Sequence, residues 1–154
     1  MCCGNYLHTH VEFSPSDRNR LSAAGIDDTA SQDRFDFPCQ FLNGACCTIY
    51  PSRPAVCATY RCKTLTEAQS GAISLDEAKE RLCKIAENRR AFEATVPEGM
   101  TIPAAIALAA SEPTPGWQAP DYFPKLRLSC VALQAIIDRY LREESDGVVH
   151  SRMG

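Results

Sequence analysis

The stretch "CCTIYPSRPAVCATYRC", residues 46–62, sets four cysteines among a Tyr-Pro and an Arg-Pro step. Its reading decides the fold, because thiols this dense are disulfides, reactive groups, core filler or metal ligands, and each choice builds a different molecule. Just upstream, "PCQFLNGACCTIYP" (38–51) reads as a β-hairpin, with Asn43-Gly44 between apolar, β-favouring runs. A three-residue loop Leu42-Asn43-Gly44, with Gly44 in the left-handed position of a bulge, sets Cys39 opposite Cys47 and turns Cys46 to the other face. Downstream, Ser52 as cap and Pro54 in the first turn predict a helix. Cys57 and Cys62 then lie about 140° apart around an ideal helix axis. Both reach one ion only if the helix breaks or ends at the site.

The compartment narrows the chemistry. The chain has 154 residues, nine of them cysteine. No basic-apolar-small leader opens it, and the longest apolar run, "IPAAIALAA" at 102–110, is about half of what a bilayer needs. The expectation is a soluble cytoplasmic protein with no membrane association. The cytosol keeps thiols reduced, and an odd count leaves one cysteine unpaired in any disulfide framework. A disulfide contributes about 2–4 kcal/mol, whereas a structural zinc site contributes on the order of 10–16 kcal/mol of binding energy coupled to folding. Metal ligation therefore leads. Hydrophobic content of 45% and charged content of 23% are those of a globular chain with its own core. A net charge of −3 gives no footprint for nucleic acid or an anionic membrane.

Elsewhere the pattern is mostly helical. Residues 1–13 read as an extended segment. "SPSD" at 14–17 supplies an N-cap serine, a proline at the first helical position and an acid in the first turn of a short helix that Gly25 stops. Residues 26–34 read as a loop. "SLDE" at 74–77 is a capping box, after which Leu75, Ala78, Leu82, Ile85, Phe92 and Val96 keep helical spacing. A short apolar helix is expected near 103–110, and a last helix near 125–143 carries Leu126, Cys130, Leu133, Ile137 and Tyr140 on one stripe.

These placements sort the cysteines. Cys130 belongs to an apolar stripe and reads as core, where cysteine is a common small hydrophobe. Cys83 borders the stripe of its helix and reads as core, with late ligand as the alternative. Cys46 faces away from Cys39. Six candidate ligands remain: Cys2, Cys3, Cys39, Cys47, Cys57 and Cys62. Their spacing contains no C-x2-C pair and no ferredoxin run, so it does not choose between zinc and an iron–sulfur cluster. His8 and His10 share a face of an extended segment, either as solvated residues or as a nitrogen ligand. Arg53 either balances thiolate charge or is an exposed turn arginine. Tyr50 and Tyr60 read as packing residues around the cluster.

The order Cys2-Cys3, Pro38-Cys39, Cys47-Thr48-Ile49-Tyr50, Arg53-Pro54, Cys57 and Tyr60-x-Cys62 resembles the YkgJ-type cysteine-cluster family, described as carrying a zinc- or iron-chelating domain. The resemblance covers roughly residues 2–90. Relatives usually carry a further cysteine upstream of the pair, and the sequence leaves open whether Cys46, Cys83, His8 or His10 completes the ligand set. The position that commonly holds arginine after the "R-P-x-x-C" cysteine is Ala58 here. The resemblance implies metal chelation. Some relatives are described as flagellin lysine methylases, but this chain shows no phosphate loop, dinucleotide fingerprint, HExxH, nucleophile elbow or methyl-donor motif.

The expected molecule is mainly α with an irregular cysteine-rich module containing a short β-hairpin, a small α+β fold organised around a metal site. It is expected as one domain over 1–144, with a metal-binding module at 1–66, a helical part at 67–144 and a flexible tail at 145–154. The expected function is chelation of zinc or iron by N-terminal thiolates, in a structural, metal-handling or protein-docking role. The alternative is an iron or iron–sulfur dependent enzyme or accessory of protein modification. Thiol redox chemistry at Cys2-Cys3 ranks last, lacking the C-x-x-C arrangement.

Overall fold

The computed structural model of the chain describes residues 4, 6–26, 34–44, 46–112 and 114–142. Two compact units divide it, Met1–Tyr60 and Arg61–Gly154. The fold is a small α+β fold, mostly helical, with two antiparallel strand pairs.

In the first unit β1 (His10–Glu12) pairs with β2 (Arg34–Asp36), Val11 standing opposite Phe35. Strand alternation sends these two side chains inward and leaves His10, Glu12, Arg34 and Asp36 exposed. Val11, Phe13, Leu21 and Phe35 form the buried core, with Ile26, Phe37, Phe41, Ile49 and Cys57 packed around it. The aromatic rings meet edge-on, Phe13 to Phe35 at 4.4 Å and Phe35 to Phe41 at 5.0 Å, a geometry favoured by the ring quadrupoles.

Helix α1 (Pro15–Ala23) begins where "SPSD" predicts. The Ser14 hydroxyl accepts from the Asp17 N–H, the Asp17 carboxylate accepts from the Ser14 N–H, and Pro15 opens the first turn. The expected stop holds as well, with Ala24 as C-cap and Gly25 at φ 75°.

The hairpin forms, but in another register. β3 (Leu42–Asn43) pairs with β4 (Cys46–Cys47) so that Leu42 faces Cys47 and Asn43 faces Cys46. Cys39 does not stand opposite Cys47; it precedes the strand, and its carbonyl accepts the Leu42 N–H across a turn. Gly44 takes the positive φ expected of it, 59°, but directly after the paired Asn43, so it opens the connection where the expected register had it close the loop. Cys46 is exposed and Cys47 is half-buried.

After a 3₁₀ turn at Tyr50–Ser52, helix α2 (Ala55–Thr59) starts with Pro54, not Ser52, at its N-cap. It is one turn long. The chain leaves helical geometry at Tyr60 and resumes it only after Cys62.

The second unit holds α3 (Lys63–Ser70), α4 (Leu75–Glu93), α5 (Ile102–Ala110) and α6 (Phe123–Tyr140). Its core is built by Ala78, Ile85 and Phe92 of α4, Ala105 and Ala109 of α5, and Phe123, Leu126, Cys130, Leu133 and Ile137 of α6. On α6 Leu126, Cys130, Leu133 and Ile137 are buried as expected, whereas Tyr140 at the end of the expected stripe is half-buried. On α4 the buried positions recur every seven residues, whereas Leu75 and Leu82 are exposed and leave the expected stripe. Ser74 caps α4 by accepting the Glu77 N–H. The Glu77 carboxylate pairs with Arg81. Arg81 also pairs with Glu67 and lies 5.2 Å over the Tyr140 ring. The first turn of α3 donates to the last turn of α6, Lys63 N–H to the Leu141 carbonyl at 3.1 Å and Thr64 Oγ1 to the Tyr140 carbonyl at 2.6 Å. Backbone groups that two helix ends would otherwise leave unsatisfied are thereby joined.

Among the described residues no helix is long and apolar enough to cross a membrane. The expected loop at 26–34 falls largely, and the tail at 145–154 wholly, outside the described residues.

Candidate metal centre

One thiol of the first unit, that of Cys57, is positioned by a device that begins at Asp17. This carboxylate is 3% exposed, and it is a member of the α1 capping box. It also accepts the Ala55 N–H at 2.8 Å, capping the first turn of α2 from 38 residues away. Arg20 pairs with Asp17 and donates to the Arg53 carbonyl at 3.0 Å. Helix α1 thus grips both ends of the Arg53-Pro54-Ala55 step, within which Pro54 is fully buried. Burial works to raise the Asp17 carboxyl, but the Ser14 hydroxyl, the N–H groups of Ala55 and Ser14, and the Arg20 guanidinium outweigh it and hold the carboxyl below its ordinary range. The consequence for the site is positional. Cys57 sits one turn into a helix whose start is fixed by a buried charge.

Cys39, Cys47 and Cys57 are all half-buried, and none is in a disulfide. Each is supported differently: Cys39 by the turn into β3, Cys47 by its strand pairing, and Cys57 by packing against the core of the unit. Cys62 opens the second unit as the N-cap of α3, and its side chain makes no capping hydrogen bond. Cys2 and Cys3 lie outside the described residues.

The remaining cysteines separate cleanly. Cys130 is buried in the α6 stripe, and burial pushes its thiol up. Cys83 is exposed on α4, which corrects its reading as core. It stands off the face that carries Ala78, Ile85 and Phe92, and periodicity alone left that boundary ambiguous.

The neighbouring residues also find their places. Arg53 turns back on its own segment, donating to the Tyr50 carbonyl at 2.6 Å and stacking 3.6 Å over the Tyr50 ring. Tyr50 is 61% exposed, so it is a surface platform for Arg53 and not packing for a cluster. Tyr60 is half-buried and meets His8 edge-on at 4.9 Å.

A cavity of about 420 Å³ adjoins Cys57. Its walls are Val11, Phe37, Val56 and Tyr60, and His8, His10 and Glu12 also line it. His8 and His10 thus both line the cavity that reaches Cys57. Glu12 was not singled out from the sequence. Its signal was available in "HVE", where residues 10 and 12 of a strand point the same way.

Among the described residues no three His, Cys, Asp or Glu side chains gather round one point. The fit to a metal is therefore one of donor chemistry: three half-buried thiols in one unit are soft ligands of the kind that zinc and iron take.

The model of the CxxCxxCC family, described as "Putative zinc- or iron-chelating domain", matches residues 1–84. The chain belongs to this family. The match agrees with the cysteine-cluster resemblance of the sequence and covers all of the first unit, α3 and part of α4. Chelation of zinc or iron is thus the family's described property, and it fits a metal ion as the partner. No curated protein and no solved structure matches the chain.

Proposed function

We propose that the chain binds one zinc or iron centre through thiolates of its cysteine-rich half, and that the centre serves a structural, metal-handling or partner-docking role in the cytoplasm. The observation that carries this reading is the sorting of the thiols. Those of the family motif in the first unit, Cys39, Cys47 and Cys57, are half-buried, whereas Cys46 and Cys83 are exposed and Cys130 is core. Cys2 and Cys3 supply the further ligands, and Cys62 is the sixth candidate of the motif. A thiolate ligand must be deprotonated and shielded without being lost in an apolar core. Half-burial suits that need and the setting of Cys130 does not.

Metal content of single variants tests the reading. Cys39→Ser and Cys57→Ser lose metal and destabilise the first unit, while Cys130→Ala and Cys46→Ser retain it. Equal loss in all four overturns the assignment. Cys62→Ser, measured in the same series, decides its membership by the same readout.

The second reading, an iron or iron–sulfur dependent enzyme or accessory of protein modification, needs a pocket and a base beside the centre. The cavity next to Cys57, with His8 and His10 on its wall, favours it. Acid-labile sulfide with a brown charge-transfer band selects this reading, and a colourless zinc protein rejects it.

A further inference from the structure

The outer face of β1 carries two ligand-type groups at a telling separation. His10 Nε2 and Glu12 Oε1 are 3.7 Å apart. Two donors that each lie about 2.1 Å from a tetrahedral zinc ion stand about 3.4 Å from one another. The pair is therefore within a few tenths of an ångström of chelating geometry before any ion arrives. Its orientation is fixed from behind. His10 Nδ1 lies 3.0 Å from the Thr9 hydroxyl, which leaves Nε2 as the ring nitrogen turned to the carboxylate. A hydrogen bond at the other ring nitrogen is how metal-binding histidines are commonly held. Val11, between the two, is buried in the core and prevents the strand from turning over.

The facing strand keeps the pair available. Asp36 stands opposite His10 and Arg34 opposite Glu12. Arg34 pairs with Asp36 at 3.0 Å, so the guanidinium neutralises the neighbouring carboxylate and Glu12 remains for His10. Both His10 and Glu12 line the cavity whose wall includes Cys57.

We propose that His10 and Glu12 form a two-ligand capture point for a divalent cation, zinc or ferrous iron, which then passes through the cavity to the thiolate centre at Cys57. This rests on the thiolate reading of the first unit. Two ligands leave most of the ion's coordination to water, so the capture point binds weakly and lets go. The step onward is ligand exchange without redox change: the imidazole and carboxylate leave the ion, the Cys57 sulfur bonds to it, and the thiol proton goes to solvent. An exposed His–Glu contact with no such role would add little stability and would not touch metal uptake.

The test uses the full apo chain mixed with zinc held by a weak chromogenic chelator, following both loading rate and final zinc per chain. His10→Gln and Glu12→Gln are exposed-face substitutions that leave the core intact. They are expected to slow loading roughly tenfold, the scale on which ligand-shell changes alter metal sites, with final zinc unchanged, whereas Cys57→Ser lowers final zinc. Loading at the wild-type rate overturns the proposal. So does a loss of final zinc equal to that of Cys57→Ser, which would make the pair resident ligands. A zinc titration of the Cys57→Ser chain, read at the His10 ring resonances, separates this proposal from the thiolate reading. A shift that Glu12→Gln abolishes upholds the capture point even if the thiolates hold no metal, and no shift overturns it.

Discussion

The carboxylate of Asp17 accepts the backbone N–H of Ala55 at 2.8 Å, and through this bond the first helix of the chain sets the start of the helix that carries Cys57. The bond closes 38 residues of chain onto one buried atom, so the position of a candidate ligand depends on a residue that is not itself a ligand.

Asp17→Ala strips the partner from several donors at once, and a buried donor left unsatisfied costs about 1–3 kcal/mol. The expected result is a loss of that order in the first unit, measured by denaturant unfolding, together with weaker metal retention. Asp17→Asn keeps the shape and isolates the charge.

The same carboxylate gives the fold an acid limb. Its pKa is lowered in the folded chain from an ordinary 3.8. The unfolded chain therefore takes up the proton first as pH falls, which favours unfolding. The stabilisation is fully present above the ordinary carboxylate range and is lost as pH drops through 3.8 and on through the lower folded value. Unfolding titrations of wild type and Asp17→Asn should diverge at neutral pH and converge in strong acid. A constant difference across that range contradicts the assignment.

Thiol reactivity should follow exposure. Cys46 and Cys83 are exposed, and Cys130 is buried with its thiol pushed up, so it is both inaccessible and poorly ionised. Alkylation of the folded chain followed by peptide mapping should, among the described cysteines, label Cys46 and Cys83 first and Cys130 last. Cys130 labelling as fast as Cys83 would contradict its place in the core.

Phe92 is fully buried between the helices of the second unit. Phe92→Ala leaves a cavity in the core of that unit, and truncations of this kind cost about 3–5 kcal/mol. The helical signal of α4 and α6 should melt at a correspondingly lower temperature, which circular dichroism will report.

What could be read directly from the sequence was local chemistry. Ser14-Pro15 and Asp17 announced a helix start, Ser74 another, and Leu126, Cys130, Leu133 and Ile137 announced a buried stripe, because each signal is contained within one or two turns. The hairpin was legible as a hairpin but not in its register, since Asn43-Gly44 suits several loops and only the pairing decides whether Gly44 opens or closes the connection. Leu75 and Leu82 kept helical spacing and still face solvent, because periodicity does not say how wide a stripe the neighbours cover. The site was legible as a set of cysteines. Its support was not: the Asp17–Ala55 bond and the cavity shared by His8, His10 and Cys57 are long-range, and no spacing rule encodes them.

The most direct measurement of the central claim is elemental analysis, with an absorption spectrum, on the full chain purified without air. A thiolate centre predicts near-stoichiometric zinc or iron, released when Cys39 and Cys57 are replaced. A folded chain that carries no metal, and takes up none when zinc or ferrous iron is supplied, would contradict it.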